Sequence, residues 1–247
     1  MTATPETPAI PEIEFRSDVT VELVRAGAQD ADVVFAARVS TAGEQSLDDV
    51  DADASGAKGL IAFLMRERHG SPFEHNSMTF YVQAPIFVFR EFMRHRIASY
   101  NEESGRYREL RPVFYVPGPD RRLVQIGKAG AYDFIEGTPE QTAVAVEATK
   151  RACASSYAAY REMLDAGVAR EVARGVLPVA TYSSMYVTMN ARSLMNFLSL
   201  RTKRPDSRFP SYPQREIEMV AEQMEEHWAR LMPLTHGAFE ANGRVAP

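Results

Sequence analysis

The run NSMTFYVQA, residues 76–84, sets Met78, Phe80, Val82 and Ala84 two apart, with Thr79, Tyr81 and Gln83 between them. A period of two sends successive side chains to opposite faces, which predicts a half-buried strand. Pro85 follows at once and suits the first turn of a helix, so a second element is expected from about Ile86 to Ser99. The same passage recurs further on: TYSSMYVTMN reads as a strand, and NARSLMNFLSLR as a helix capped by Asn190.

Other elements follow from equally local signals. VTVELVRA predicts a strand. The segment from Ala57 to His69 carries Leu60, Ile61, Leu64 and Met65 at helical spacing and is expected to stop at Gly70. TPEQ opens a helix, with Thr138 as cap, Pro139 in the first turn and Gln141 three after the cap; Gly167 closes it. The last long helix starts after Pro213 and aligns Ile217, Val220, Met224, Trp228 and Leu231 as a core or subunit-interface stripe. Residues 1–16 read as a flexible arm, 17–241 as one domain and 242–247 as a tail. LDDVDADAS reads as an acidic loop.

Within this frame RHRIASYNEESGR, Arg94–Arg106, concentrates three arginines in a chain of net charge −5. An acidic chain disfavours nucleic acid or an anionic membrane as partner, so the cluster points to a small anion. On a helix Arg94, His95 and Arg96 would point three ways, while Arg90, Arg94 and the region of Ile97 would share a side. Only a ligand, or several chains converging, could use all three. SYNEESGR is rich in turn formers and is expected to leave the helix as a loop. No G-x-G-x-x-G or G-x-x-x-x-G-K-[ST] string exists, so phosphates must be held by side chains.

Other chemistries find less support. His69, His75 and His95 lack cysteines or a helix-spaced partner, and no metal is expected. Ser104 has no G-x-S-x-G frame or base to make it a nucleophile. Cys153 is the single cysteine, read as a small buried residue. It allows no intramolecular disulfide and suits a reducing cytoplasm, and the longest apolar runs, LIAFLM and APIFVF, are too short to span a bilayer.

RHRIASYNEESGR matches the R-H-R-x-x-S-x-N-E-x-S-x-R signature of the flavin-dependent thymidylate synthases. The chain resembles that family from ARVS at Ala37 through HGSPFEH, ARGVLP and NARSLMNFLSLR to the final helix. The resemblance implies an α+β fold, a central mixed or antiparallel sheet flanked by helices, of the thymidylate synthase-complementing type. It also implies a homotetramer with sites shared between subunits. The implied reaction is reductive methylation of dUMP to dTMP, with 5,10-methylenetetrahydrofolate giving the carbon and NADPH the hydride through FAD.

Residue roles carry over by position. Ser71, Arg94, His95, Arg96, Ile97, Asn190, Arg192 and Asn196 would hold FAD, Ser40 and His69 would lie near the flavin or folate, and Glu102 would lie between flavin and nucleotide. Glu91, Arg94, Glu102, Glu103, Ser104, Gly105, Arg106, Arg174 and Arg201 would meet dUMP. Arg201, assisted by Arg174, would stabilise negative charge on the uracil, a task that suits a permanently protonated guanidinium. Many relatives have Gln where this chain has Glu91, so Arg90 or Arg94 is expected to neutralise it. Some relatives place a histidine against the flavin after Arg201, whereas TKRPDSRFPSYPQ has none.

Two other classes compete. A nucleotide- or RNA-binding module would use the arginines without chemistry, and a structural oligomer would pair them between subunits. The acidic pI disfavours the first, and the coincidence of two distant motifs disfavours the second.

Overall fold

The computed structural model describes residues 12–43, 56–128 and 131–247. The first half holds β1 (Glu14–Arg16), β2 (Thr20–Gly27), α1 (Asp30–Ala42), α2 (Ala57–Arg66), β3 (Ser77–Pro85), α3 (Ile86–Phe92), β4 (Ser99–Glu102) and β5 (Val113–Tyr115). Next come β6 (Val124–Lys128), β7 (Ala131–Ile135), α4 (Pro139–Asp165), α5 (Arg170–Ala173), β8 (Tyr182–Met189), α6 (Ala191–Arg201), α7 (Arg215–Leu231) and α8 (Pro233–Ala241). The acidic stretch expected as a loop, 47–55, lies outside the described residues. Among the described residues, no helix is long and apolar enough to cross a membrane.

The central sheet has the order β2-β3-β8-β4, and each neighbouring pair is antiparallel. Two smaller sheets flank it, a parallel pair β1-β5 and the hairpin β6-β7. The fold is therefore α+β with mixed sheets. Met78, Phe80, Val82 and Ala84 of β3 bury the face that the alternation predicted, joined by Met185, Val187 and Met189 of β8. Ile217, Val220, Met224 and Trp228 of α7 are fully buried in the same cluster, so that stripe is core. Each such side chain contributes roughly 1.5–3 kcal/mol on full burial.

Local signals account for several boundaries. Thr138 and Gln141 form a reciprocal capping box at α4, and Gly167 closes it at φ 82°. Asn190 Oδ1 accepts from Ser193 N at 2.9 Å and starts α6. At α3, Pro85 is the cap, and the free amides of Ile86 and Phe87 donate to Thr181 and Val179 carbonyls.

Elsewhere the structure corrects the local reading. Helix α2 ends at Arg66, and the residue in the left-handed region is Arg68 at φ 62°, while Gly70 sits at φ −77°. Helix α3 stops at Phe92 because tertiary contacts claim its end: Tyr100 Oη, on β4, lies 2.6 Å from the His95 carbonyl and 3.1 Å from that of Phe92. Hence Arg94, His95 and Arg96 are not helical, and Arg90, Arg94 and Ile97 share no helix face. SYNE is a strand rather than a loop, paired with β8. At the start of the chain, Glu14–Arg16 are a strand and not the end of an arm. The tail 242–247 is packed, with Arg244, Ala246 and Pro247 buried. Finally, α1, β5 and the β6-β7 hairpin gave no signal that the sequence reading caught.

Candidate active site

The residues singled out from sequence fall into three groups of contacts. The first joins α3 to the C-terminal end of α6. Arg201 Nη1 donates to Glu91 Oε2 at 2.8 Å, and its Nε donates to His95 Nε2 at 3.0 Å. His95 is held edge-on to Phe197 of α6, with centroids 4.9 Å apart, and Phe197 stacks on Phe92 at 4.5 Å. Burial, and then the Arg201 charge, lower the His95 pKa to about 4, so the imidazole is neutral and accepts. Burial raises the Glu91 carboxyl, and Arg201 opposes that shift. The partner that neutralises Glu91 is thus Arg201, not Arg90 or Arg94.

The second group surrounds the end of β4. Glu102, Glu103 and Ser104 line a cleft of about 350 Å³ with Tyr81, Tyr107, Arg108 and Tyr186. Tyr81 and Tyr186 are register partners on β3 and β8, their rings 5.9 Å apart, and form an aromatic wall. Burial raises the Glu102 carboxyl, opposed by a hydrogen bond from Ser183. Glu103 accepts from Ser184 Oγ at 3.2 Å and pairs with Arg108 at 3.1 Å. At Gly105 a Cβ would come within 3.0 Å of Leu110 and 3.2 Å of Arg174 Cδ, so the glycine lets Arg174 lie against this loop. Arg106 pairs with Glu171, the neighbour of Arg170 on α5, at 2.7 Å.

The third group lies at the N-terminal end of α6. Arg192 bonds Glu74 through Nη1 and donates from Nε to the Pro247 carbonyl at 2.7 Å. Gly70 is buried beneath it; a Cβ there would stand 2.4 Å from Arg192 Cζ. Ser71 opens the 3-10 turn Ser71–Glu74 beside these residues and is exposed, as is His69, whose ring meets Phe63 edge-on at 5.8 Å. Asn190 Oδ1 is committed to capping, which leaves its amide nitrogen for a ligand. Asn196 Nδ2 donates to the Arg192 carbonyl at 3.0 Å on its own helix. Ser40 is exposed on α1, its hydroxyl bonded to the Ala37 carbonyl.

Arg94, Arg96 and Ile97 are exposed on the segment between α3 and β4. Sequence reasoning missed Tyr81, Tyr186, Tyr107 and Arg108. The outward positions of the alternating strands and the two residues after the motif were the available signal. It also missed Gly70, which reads as a cap and serves as space for a guanidinium.

The donors suit a nucleotide cofactor. Arg192 is permanently charged and seated over Gly70, the residue before Ser71; Arg94 and Arg96 add exposed charge of the kind a diphosphate takes. Cys153, by contrast, is 1% exposed in a different core cluster, under Phe114 and Tyr157, and burial pushes its thiol upward.

The family model described as thymidylate synthase complementing protein matches residues 22–234. A flavin-dependent thymidylate synthase of Streptomyces coelicolor is 68% identical over 238 residues, covering 96% of this chain and 97% of that one. One from Tropheryma whipplei is 62% identical over 233 residues, covering 94% and 97%. The crystal structure of a UMP/dUMP methylase, PolB from Streptomyces cacaoi bound with 5-Br dUMP, superposes with a TM-score of 0.89 at 59% identity. It covers 95% of this chain and all of that one.

Proposed function

The chain belongs to the flavin-dependent thymidylate synthase family, and from that premise we propose how its residues divide the work of methylating dUMP to dTMP. The enzyme is a flavin-dependent thymidylate synthase. The finer reading is that the flavin is FAD, that 5,10-methylenetetrahydrofolate gives the carbon, and that NADPH gives the reducing hydride. Arg192, Ser71, Arg94, Arg96 and the Asn190 amide would hold FAD. The chemistry that bound FAD supplies is hydride transfer.

The observation that carries the reading is the Glu91–His95–Arg201 group. Placing a carbon on C5 of uracil requires electron density there, which a thiolate added at C6 can create. Cys153 is buried in another cluster and cannot reach a substrate from there. The density must then be drawn by stabilising negative charge on the pyrimidine carbonyls. Arg201, oriented from two sides before substrate arrives, does this without reorganising in the transition state. Arg174, packed on the Gly105 loop, assists, and Ser104 and Arg106 bind the phosphate rather than react.

A homotetramer with shared sites belongs to the same proposal. Exposed Arg94 and Arg96 on one segment, with Arg192 on another, suit a ligand that bridges subunits.

Release of tritium from C5-labelled dUMP tests the function, run with and without FAD and with each cosubstrate omitted in turn. Release that needs all three supports the full reading, and labelled UMP in parallel tells whether the substrate range matches that named for PolB. A flavin-loaded protein that releases none would remove the proposed chemistry.

A further inference from the structure

We propose that residues 242–247 are a strap that positions Arg192 for the flavin, anchored through Arg244. The inference rests on the reading above, in which Arg192 meets FAD.

After α8 the chain reverses at Gly243 and Arg244, whose φ angles are 67° and 59°. Arg244 is not glycine, so its left-handed backbone is strained and persists because the side chain is held elsewhere. Its guanidinium is 4% exposed and takes both oxygens of Glu225, at 2.6 and 2.9 Å. Nη2 also donates to Thr202 Oγ1 at 2.9 Å. His236 Nε2 lies 3.0 Å from the same Glu225 carboxylate. The trio Glu225, His236 and Glu240, close enough in space to suggest a cation site, is therefore an arginine anchor.

Thr202 is the C-terminal cap of α6, and Arg192 stands in the first turn of that helix. The strap is tied at Arg244 to one end of α6, buries Ala246, and reaches the other end, where the Pro247 carbonyl accepts from Arg192 Nε at 2.7 Å. Glu74 accepts from Nη1, and Gly70 leaves room beneath. Nε and Nη1 of the guanidinium are thus held by the strap and the 3-10 turn, leaving Nη2 for a phosphate oxygen. A rotamer-rich side chain held in advance loses less entropy on binding.

The test is a double-mutant cycle on FAD affinity, read by flavin fluorescence titration, with the thermal midpoint of the flavin-free protein measured beside it. One arm ends the chain at Arg244, which keeps the Arg244 side chain that pairs with Glu225 and removes the contact to Arg192 together with the buried Ala246. The other arm is Arg192→Lys, which keeps the charge and loses the Nε donor. Removing residues 245–247 should weaken FAD about tenfold in the native background, the scale of one hydrogen bond to a charged group. In the Arg192→Lys background it should change affinity by less than about twofold. Arg244→Met should show the same loss of flavin together with a lower thermal midpoint.

An equal loss in both backgrounds, or a lower midpoint with unchanged FAD affinity, overturns the strap and leaves the proposed function standing. A native protein that takes up no flavin overturns the reading beneath and the proposal with it.

Discussion

With its Nε donating to His95 Nε2, Arg201 needs that nitrogen unprotonated. His95 takes a proton near 6.5 in the unfolded chain and only near about 4 when folded. Between those values the unfolded state binds more protons, so stability falls as pH drops through the window. Urea unfolding at about pH 7 and about pH 5 should therefore show a larger acid loss for the native protein than for His95→Gln, which keeps an acceptor but does not titrate; equal losses would contradict the assignment. Arg201→Ala should lower turnover by a factor on the order of a hundred or more while flavin stays bound. Steady-state rates alongside the flavin absorbance band would check it, and native turnover in that variant would end the role given to Arg201.

Helix α6 and its cap carry Asn190, Arg192, Asn196 and Arg201 along one rod, so its seating sets both ends of the proposed site. Gly70→Ala would thrust a methyl into the Arg192 guanidinium, the movable end of a flexible side chain. Its expected effect is roughly tenfold weaker flavin binding with little change in the thermal midpoint, from loss of a charged hydrogen bond. Phe197→Ala removes the ring that stacks on Phe92 and meets His95 edge-on, and should lower stability by about 3–5 kcal/mol, measurable by denaturant titration. This helix was legible because its start is written locally, in Asn190 and the apolar spacing after it. The strand before α3 was legible for the same reason. The end of α3 was not, since Tyr100 reaches back from a strand whose own partner, β8, lies far along the chain. Glu91 likewise gave no clue to Arg201, 110 residues away. Motif resemblance named the candidate residues, but their grouping depends on such long-range pairings.

At the scale of the assembly, the proposed sharing of sites between subunits makes a sharp prediction. Neither Arg192→Ala nor Arg201→Ala chains should be active alone. Refolded together in equal amounts, they should recover activity in about a quarter of sites if each site draws the two arginines from different subunits. Sites contained within one chain would recover none. The same wide spacing of partners governs how the molecule is made. Phe80 pairs with Val187, roughly a hundred residues later, and both β3 and β4 depend on β8. At typical synthesis rates β3 waits about 5–20 s for its partner to leave the ribosome. During that time the edge meant for β8 is open to pairing with another chain. Substitutions that weaken β8 should therefore appear first as lost soluble yield, before any change in the rate of the finished enzyme.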